Sequence, residues 1–401
     1  MENEISNRLN ALFHEMVDIR RFLHQYPELS HQEEHTPRYI ANYHEQLGLD
    51  VRTNVGGRGV VATLTGAYPG KTIAVRADFD ALPIQDEKDV PYKSTIPGVM
   101  HACGHDGHTA LVLALAKALS ERRSSLHGTV VFIHQHAEEV SPGGAKQMID
   151  DGCLEGVDEI FGTHLWATEP LGKIQYKHGP FMAAADRFEI VIQGQGGHGA
   201  QPHVTKDAIL IGSNVVQSLQ HIVSRRLNPI QSAVISVASI EASNPFNAIA
   251  DQVKMEGTVR TFDPDIQKDI KRVMDQTING VCQSYGASYT FNYFDGHPAV
   301  VNDPSASDAV ANAAKGIQEV QEVEYAEPQM GGEDFSYYVQ AVPGTYFFTG
   351  AKPKDVTETI PHHHPKFDID ERSMLIASKT LARTVLQRTG TTQAEGFEHI
   401  K

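Results

Sequence analysis

Short β-branched runs alternate with longer helical patterns in the first third of the chain, and this alternation restricts the fold more than any other feature. Apolar residues at helical spacing predict helices, at 5–25, 36–47 and 109–121. Near-continuous apolar runs predict strands, at 59–64, 72–77 and 128–135. Such runs, alternating with helices, are typical of a partly parallel sheet that is buried on both faces. We therefore predict an α/β domain with a mixed sheet.

The pattern changes between residues 186 and 294. Strands and helices follow the order β-α-β-β-α-β there, at 187–193, 207–226, 232–237, 252–260, 264–285 and 287–294. This order is that of the ferredoxin-like α+β unit, and roughly a hundred residues suffice for a separate domain. The α/β pattern then returns, at 305–318, 344–350 and 370–388, before a polar tail after Gly390 that we expect to fray. We predict a larger domain, 1–185 and 295–401, interrupted by an inserted domain, 186–294.

Composition restricts the partners of this 401-residue chain. Its formal net charge is −16 at pH 7, and we find no cluster of lysine and arginine, which argues against nucleic acid and anionic membranes. The three cysteines are too few and too scattered for a disulfide framework, so we expect a reducing cytoplasm. The acidic start at 1–4 does not resemble a signal peptide, and no apolar run could span a bilayer. The expected substrate is a small molecule or a peptide.

The stretch 100–109 is the strongest candidate for a metal site. It places Cys103 and three histidines immediately before an apolar helical pattern. Cys103 and His105 are two residues apart around a glycine, so both side chains can reach one centre, and thiolate and imidazole suit zinc and its neighbours. The alternative is a buried structural cysteine beside solvent-exposed histidines.

Further candidate ligands follow predicted strands. Glu138 and Glu139 come just after the run 128–135, at the end of a strand where α/β enzymes place their sites. Adjacent carboxylates point in different directions, so one can bind a metal while the other acts as a general base. His164 ends another apolar run, and Asp78 is our candidate for a carboxylate that orients a metal-bound histidine. Taken singly, each of these could be an ordinary surface or core residue.

Two other histidine-containing segments stand out. His362, His363 and His364 lie between two prolines, where they form neither a good strand nor a good helix. The glycine-rich loop 196–203 contains His198 and His203 just after the first strand of the inserted domain. This loop could contact substrate, but on its own pattern a simple turn is the better interpretation.

Together these residues resemble the binuclear-metal aminoacylase and carboxypeptidase superfamily. The resemblance is to its amidohydrolase branch, which includes hippurate hydrolases, N-acyl-amino-acid amidohydrolases and auxin-conjugate hydrolases. The matching segments run in family order along nearly the whole chain: RADFDALP at 76–83, MHACGHDGH at 100–108, QHAEE at 135–139, GGHGAQPH at 196–203, GTVR at 257–260, MGGEDF at 330–335 and HHP at 363–365.

The resemblance implies a zinc-peptidase-like catalytic domain that binds two divalent metal ions. The residues that resemble the family's ligands are Cys103, His105, Glu139, His164 and one C-terminal histidine. The thiolate of Cys103 is expected to be shared by the two ions. The family carries its last ligand two residues before a proline, which selects His363 and leaves His362 and His364 as alternatives. Zinc or manganese is expected, with cobalt and nickel open.

The resemblance also implies roles in catalysis and in substrate binding. Glu138 resembles the general base that takes a proton from a metal-bound water and returns it to the leaving amine. His198 resembles a residue of a smaller lid and dimerisation domain that stabilises the oxyanion, often from a partner subunit, which implies a homodimer. Asn247 and Arg260 match positions that hold the substrate carboxylate or carbonyl. One departure is Ala250, which stands where the family usually has proline and puts the role of Asn247 in question.

The function implied is metal-dependent hydrolysis of N-acyl amino acids to a carboxylate and a free amino acid. A dipeptidase or carboxypeptidase of the same superfamily is the nearer alternative, although those branches usually have aspartate at the position of Cys103. A catalytically inactive metal-binding regulatory protein is the more distant alternative. It would be favoured by a missing ligand or base, and none is missing here.

Overall fold

The computed structural model describes residues 1–354 and 358–390, so the polar tail after Gly390 lies outside the described residues. These residues form two compact units. The first unit comprises residues 1–181, 301–327 and 334 onward, and the second comprises residues 182–300 and 328–333. Within the described ranges, no helix is both long enough and apolar enough to cross a membrane.

The helices and strands are numbered in chain order. The helices are α1 (Glu2–Gln25), α2 (His35–Gln46), α3 (His105–Ser120), α4 (Gly144–Asp150), α5 (Ala208–Arg225), α6 (Pro264–Ser284), α7 (Pro304–Lys315), α8 (Phe335–Ala341) and α9 (Arg372–Thr389). The strands are β1 (Asp50–Val55), β2 (Gly59–Thr65), β3 (Tyr68–Asp78), β4 (His127–Gln135), β5 (Glu159–Trp166), β6 (Lys173–Tyr176), β7 (Gly179–Met182), β8 (Ala184–Gln193), β9 (Gly197–His198), β10 (Ala233–Glu241), β11 (Ala248–Ile249), β12 (Gln252–Thr261), β13 (Ser288–His297), β14 (Val300–Asn302), β15 (Glu322–Tyr325) and β16 (Gly344–Gly350).

The first unit is organised around a mixed sheet with the strand order β1-β2-β4-β3-β5-β16-β6-β15. β3 runs parallel to both β4 and β5, and β16 runs parallel to β5, whereas β1 and β2 are antiparallel. The central strands β3, β4, β5 and β16 are buried over most of their length because their side chains are apolar on both faces. The mixed α/β sheet predicted from the alternating runs is confirmed.

Helix α3 begins one turn earlier than its apolar pattern predicted. Its first turn consists of His105, Asp106, Gly107 and His108, which are polar or small but buried. The apolar positions that follow are buried on every side of the helix, because α3 contacts α1, α9 and the sheet. The apolar pattern did not predict this first turn, because the turn contains no large apolar residue.

The second unit contains an antiparallel sheet with the strand order β10-β12-β8-β13. The chain order of its elements is β8, α5, β10, β12, α6, β13. α5 and α6 have their own core with the sheet, in which Ile211, Val215, Met255 and Ile270 are fully buried. Each helix begins at an aspartate, Asp207 or Asp263, that accepts hydrogen bonds from backbone N–H groups of its first turn.

A buried pair of histidines makes the first unit sensitive to acid. The Nε2 atoms of His44 on α2 and His134 on β4 lie 2.9 Å apart. Burial lowers the pKa of His44 to about 3, and burial together with His44 lowers the pKa of His134 well below its usual value. Because the folded pKa values lie below the unfolded value, the stability contributed by neutral rings is complete above pH 6.5 and is lost as the pH falls.

We therefore expect the free energy of unfolding to fall by about 2 kcal/mol for one such ring between pH 7 and pH 5. A double variant, His44→Phe with His134→Val, should lose this part of the pH dependence in urea unfolding at the two pH values. His127→Gln, at the exposed start of β4, is the matched control and should keep it. An equal pH dependence in all three proteins would contradict the prediction.

Candidate metal centre

The carboxyl ends of the parallel strands β3, β4, β5 and β16 meet at one edge of the large sheet, where α/β enzymes place their sites. β3 ends at Asp78, β4 is followed by Glu138 and Glu139, and His164 lies near the end of β5. The predicted site residues of the first unit therefore gather at this edge.

Cys103 and His105 reach the edge from the start of α3. Gly104 between them is the N-cap of the helix and has φ 96°, a left-handed conformation that favours glycine. This turn lets the helix begin at His105 while Cys103 stays outside it. Both side chains are buried.

Two groups of potential ligands meet at Cys103. In one group, the Sγ of Cys103 lies 3.4 Å from His164 Nε2 and 3.8 Å from His362 Nδ1. In the other group, the ligand atoms of Cys103, His105 and Glu139 lie within 4.8 Å of one another. A thiolate at this position can therefore contribute to both groups.

Glu139 brings a second histidine of the C-terminal cluster to the site. Its Oε1 lies 3.8 Å from His105 Nε2 and 3.4 Å from His363 Nε2. His363 has φ 63° and a side chain that is 51% exposed, whereas His362 is half-buried and packs on Trp166 and Phe367. The two neighbouring histidines thus approach different members of the cluster.

Hydrogen bonds fix which nitrogen of His105 and His164 can bind a metal. The Nδ1 of His105 lies 3.0 Å from the carbonyl oxygen of Asp80, and the Nδ1 of His164 lies 3.2 Å from that of Leu165. Because a carbonyl oxygen only accepts, each Nδ1 carries the proton. Nε2 is therefore the metal-binding nitrogen of each ring, and it faces the cluster.

In His108 and His362, the hydrogen bonds instead leave Nε2 without a proton. The Nε2 of His108 accepts from the backbone N–H of Leu165 at 3.0 Å, and that of His362 accepts from the backbone N–H of Ala167 at 3.2 Å. In a neutral ring the proton then lies on Nδ1, which donates to Asp78 Oδ1 in His108 and faces the Cys103 thiol in His362. This favours His363 over His362 as a ligand, and the assignment stays a prediction.

The electrostatics of the cluster favour a cation. Burial raises the pKa of the Cys103 thiol well above its usual value, and the carboxylates of Glu139, Glu138 and Asp78 raise it further. Burial alone would lower the pKa of His105, but Asp78, Asp80 and Glu139 raise it to about 10. The carboxylates contribute to both shifts, and a divalent cation would compensate their buried negative charge.

Two buried atoms of the cluster also call for a further partner. Neither His105 Nε2 nor Glu139 Oε1 has a hydrogen-bond partner among the described residues. Buried polar atoms in native proteins are normally satisfied, and exceptions often mark an ion or a water. Thiolate, imidazole and carboxylate donors suit zinc and also manganese, cobalt and nickel. The residues present therefore fit divalent metal ions.

Asp78 and Asp80 have separate roles at the end of β3. Asp78 accepts from His108 Nδ1 at 2.6 Å and from Arg76 Nη1 at 2.6 Å. Asp80 bonds to His105 instead, through its backbone carbonyl and through Oδ1 at 3.1 Å. Sequence reasoning selected Asp78 to orient a metal-bound histidine and missed Asp80, although both follow the same strand.

Arg20 connects the two ends of the chain that supply ligands. Its guanidinium is fully buried and donates to Asp106, next to His105, at 2.9 Å. It also donates to Asp368, which follows the histidine cluster, at 2.7 Å. Sequence reasoning missed Arg20 as well, because an arginine on an amphipathic helix is ordinarily exposed.

The second unit contains the other predicted site residues. His198 is exposed on β9, opposite Ala248 of β11, and its Nδ1 accepts from the backbone N–H of Ala200 at 3.1 Å. A neutral His198 therefore has a proton on Nε2. The backbone carbonyl of Asn247 accepts from Gly199 at 2.8 Å, so this loop is paired although Ala250 replaces the usual proline.

Arg260 has an incomplete set of partners. Its Nη1 donates to Thr258 Oγ1 at 2.5 Å, and the side chain is half-buried on β12. Within the described part of the chain, it forms no ion pair with a carboxylate. Burial lowers the pKa of Arg260, which the nearby Asp186 opposes. A guanidinium in this environment is suited to bind an anionic group.

The fold and the cluster define a class, the metal-dependent hydrolases that are built on a mixed α/β sheet. Comparison with known proteins agrees. The chain belongs to peptidase family M20/M25/M40, whose family model matches residues 74–387. The matching relatives place it in the aminoacylase and amidohydrolase branch of that family, as the resemblance implied.

Several relatives match over most of their length. The chain is 60% identical to YhaA of Bacillus subtilis (strain 168), provisionally named an amidohydrolase, over 95% of this chain and 96% of YhaA. It is 44% identical to an N-acyl-L-amino acid amidohydrolase of Geobacillus stearothermophilus, over 75% and 81%. It is 38% identical to thermostable carboxypeptidase 1 of Saccharolobus solfataricus (strain ATCC 35092 / DSM 1617 / JCM 11322 / P2), over 92% and 94%.

A solved structure supports the same conclusion. The chain is similar to the YXEP protein of Bacillus subtilis, described as a dinuclear metal binding peptidase from the M20 family. The TM-score is 0.83 and the identity 36%, over 96% of this chain and 100% of YXEP. The chain is therefore a metallo-hydrolase that uses divalent metal ions.

We expect variants of His362 and His363 to bind different numbers of zinc ions. His363→Ala should lose one of two bound zinc ions, because its Nε2 faces Glu139. His362→Ala should keep both ions and bind them roughly 10–100-fold more weakly, as for loss of a group that orients a ligand. Competition with a chromophoric chelator, together with zinc analysis, measures both quantities.

His364→Ala is the matched control. His364 is exposed and its Nδ1 accepts from the backbone of Lys366, so this variant should bind zinc as the wild type does. Loss of one ion in His362→Ala but not in His363→Ala would reverse the assignment.

Proposed function

We propose that this protein hydrolyses the amide bond of N-acyl amino acids, releasing a carboxylate and a free amino acid. The main support for this proposal is the placement of the two adjacent glutamates that follow β4. Glu139 faces the cluster of thiol and imidazole groups, and the adjacent Glu138 is buried, with 9% of its surface exposed. One glutamate is therefore available as a metal ligand and the other as a base.

Each group at the edge of the sheet has a proposed part in the reaction. The candidate ligands would hold two divalent cations, which would lower the pKa of a water molecule and polarise the scissile carbonyl. These ligands are Cys103, His105, Glu139, His164 and His363. Glu138 accepts a proton from the attacking water and then transfers it to the leaving nitrogen. The C–N bond of the amide breaks, the water oxygen forms a new bond to the carbonyl carbon, and the proton from the water goes to the amine.

We propose that the second unit contributes substrate contacts. Arg260 and Asn247 hold the carboxylate or the carbonyl of the substrate, and His198 donates from Nε2 to the oxyanion. The incomplete partners of Arg260 and the tautomer of His198 support these roles. Loss of one oxyanion donor costs about 3–4 kcal/mol in comparable sites, so His198→Ala should lower kcat far more than it raises KM.

We further propose that residues 186–294 form an inserted ferredoxin-like lid and dimerisation domain in a cytoplasmic homodimer, with residues 1–185 and 295–401 as the catalytic domain. Exposed apolar side chains of the second unit support an interface there: Ile209, Leu210, Ile240 and Phe246. Light scattering of the purified protein should give twice the mass of the 44.0 kDa chain. A monomer at micromolar concentration would contradict this part of the proposal.

A dipeptidase or carboxypeptidase remains the alternative within the family, since one relative is named a carboxypeptidase. Cys103 favours the amidohydrolase, because the peptidase branches usually have aspartate there. Zinc and manganese forms of the protein should be assayed on N-acetyl amino acids, N-benzoyl amino acids and dipeptides, with and without a chelator. Cleavage of dipeptides alone would overturn the proposal, and metal binding without any hydrolysis would favour an inactive regulatory protein.

The same panel tests the carboxylate contact. An N-acyl amino acid whose carboxylate is capped as an amide should be a poor substrate, because it offers no anion to Arg260. Equal turnover of the capped and uncapped substrates would contradict the role proposed for Arg260.

For the proposed base, we expect Glu138→Gln to lower kcat by about 10²–10⁴-fold, because the proton acceptor is lost. Bound zinc should stay at the wild-type amount. Glu139→Gln, its neighbour, is the matched control and should lose zinc. Wild-type turnover in Glu138→Gln would show that another group is the base.

A further inference from the structure

The segment between α1 and α2 carries a buried acid to which the proposed mechanism gives no part. Glu33 is fully buried although it lies in a loop. Burial raises its pKa to about 7, and Asp80 adds to this effect. A buried carboxyl group is costly, so its retention in a loop calls for a physical reason.

The contacts of Glu33 lead to the residue before the proposed base. Its Oε1 accepts a hydrogen bond from the backbone N–H of Ala137 at 2.9 Å. Ala137 has φ 52°, a left-handed conformation that is unfavourable for an alanine because its Cβ crowds the following carbonyl oxygen. The carbonyl oxygen of Ala137 accepts from the backbone N–H of Gly144 at 3.0 Å. Glu33 therefore stabilises a strained residue that is directly bonded to Glu138.

The other side of Glu138 is held in the same way. The backbone N–H of Glu139 donates to Asp80 Oδ2 at 3.1 Å, and Ser30 donates to the same oxygen at 2.7 Å. Ser30 and Glu33 belong to one loop. The backbone N–H groups of the residues before and after the base are thus bound to buried carboxylates. This loop supplies one of these carboxylates and contacts the other.

We infer that Glu33 is a positioning residue that sets the direction of the Glu138 side chain through the Ala137 backbone. The inference rests on the proposed role of Glu138 as the base. In the described ranges, 1–354 and 358–390, the Glu33 side chain has no hydrogen bond to a candidate metal ligand, so its proposed effect on the base passes through the Ala137 backbone. The left-handed turn at Ala137 redirects the chain immediately before Glu138, so the hydrogen bond from Ala137 to Glu33 bears on the direction in which Glu138 leaves the turn.

A purely structural role for Glu33 makes a different prediction. Arg58 donates from Nη1 to the Glu33 backbone carbonyl at 2.5 Å, and its Nε lies 4.0 Å from Glu33 Oε2. Only the second contact depends on the Glu33 side chain. If that contact were the reason for Glu33, loss of the carboxylate would lower stability and leave the kcat of the folded, zinc-loaded enzyme unchanged. A displaced base instead lowers kcat at a constant zinc content.

The test compares Glu33→Ala with Glu33→Gln in the zinc-loaded full chain. The glutamine keeps an oxygen that can accept from Ala137, and the alanine does not. We expect kcat to fall about 100-fold in Glu33→Ala, as for a displacement of about 1 Å, with little change in KM or bound zinc. Glu33→Gln should stay within about threefold of the wild type, because its amide oxygen preserves the geometry.

Glu28→Ala is the matched control from the same loop. Glu28 also accepts from backbone groups, those of His35 and Thr36 at 2.9 and 2.8 Å, but these begin α2 and do not touch Glu138. Its loss should lower the melting temperature and leave kcat unchanged. This control separates general destabilisation of the loop from displacement of the base.

Hydrogen exchange read by mass spectrometry gives a result that does not depend on the substrate. The peptide containing residues 136–139 should exchange faster in Glu33→Ala and at the wild-type rate in Glu33→Gln and Glu28→Ala. Unchanged exchange or unchanged kcat in Glu33→Ala would overturn the inference, as would equal damage in the alanine and glutamine variants. A wild type that is inactive on N-acyl amino acids would instead disprove the proposed function, and the exchange result would still decide whether Glu33 holds Ala137.

Discussion

The structure depends on negative charge that is buried at the carboxyl edge of the large sheet. Asp78, Asp80, Glu138 and Glu139 are all withdrawn from water at this edge, beside the Cys103 thiol. Such a concentration of acids is unfavourable unless cations compensate it. Arg76 supplies part of that compensation by its contact with Asp78. Bound metal ions can supply the rest of the positive charge. The buried acids that are unfavourable for folding therefore also favour metal binding.

Two backbone N–H groups divide the histidines at this edge by function. Leu165 and Ala167 donate to His108 and His362, so these rings present a proton to the cluster. His105 and His164 donate to carbonyl oxygens and present a lone pair. The division is made by backbone groups around the end of β5 and, for His105, by the carbonyl of Asp80 just after β3. It needs no difference in residue type. Four identical side chains thereby become two candidate ligands and two groups that orient their neighbours.

Sequence patterns predicted the sheet and much of the site because both depend on local signals. β16 was predicted at its observed bounds, since its seven residues form one apolar run between glycines. Cys103, His105 and Glu139 stand out in the sequence because ligand types cluster beside predicted strands and helices, and the structure brings their side chains together. Glu33, Asp80 and Arg20 act through contacts between distant parts of the chain. No local pattern marks Glu33 or Arg20, because their burial is decided by the tertiary fold. The strand end that marks Asp78 also precedes Asp80, and only the contacts with His105 distinguish Asp80 from it.

The position of β16 in the sheet has a consequence for how the chain is made. This strand starts at Gly344 but lies between β5 and β6, which are synthesised far earlier. Until it emerges from the ribosome, the buried strand β5 has one unpaired edge, and such an edge can pair with other chains. The C-terminal histidines emerge later still. The nascent protein therefore passes most of its synthesis with an incomplete sheet, and the candidate ligands can all come together only near its end.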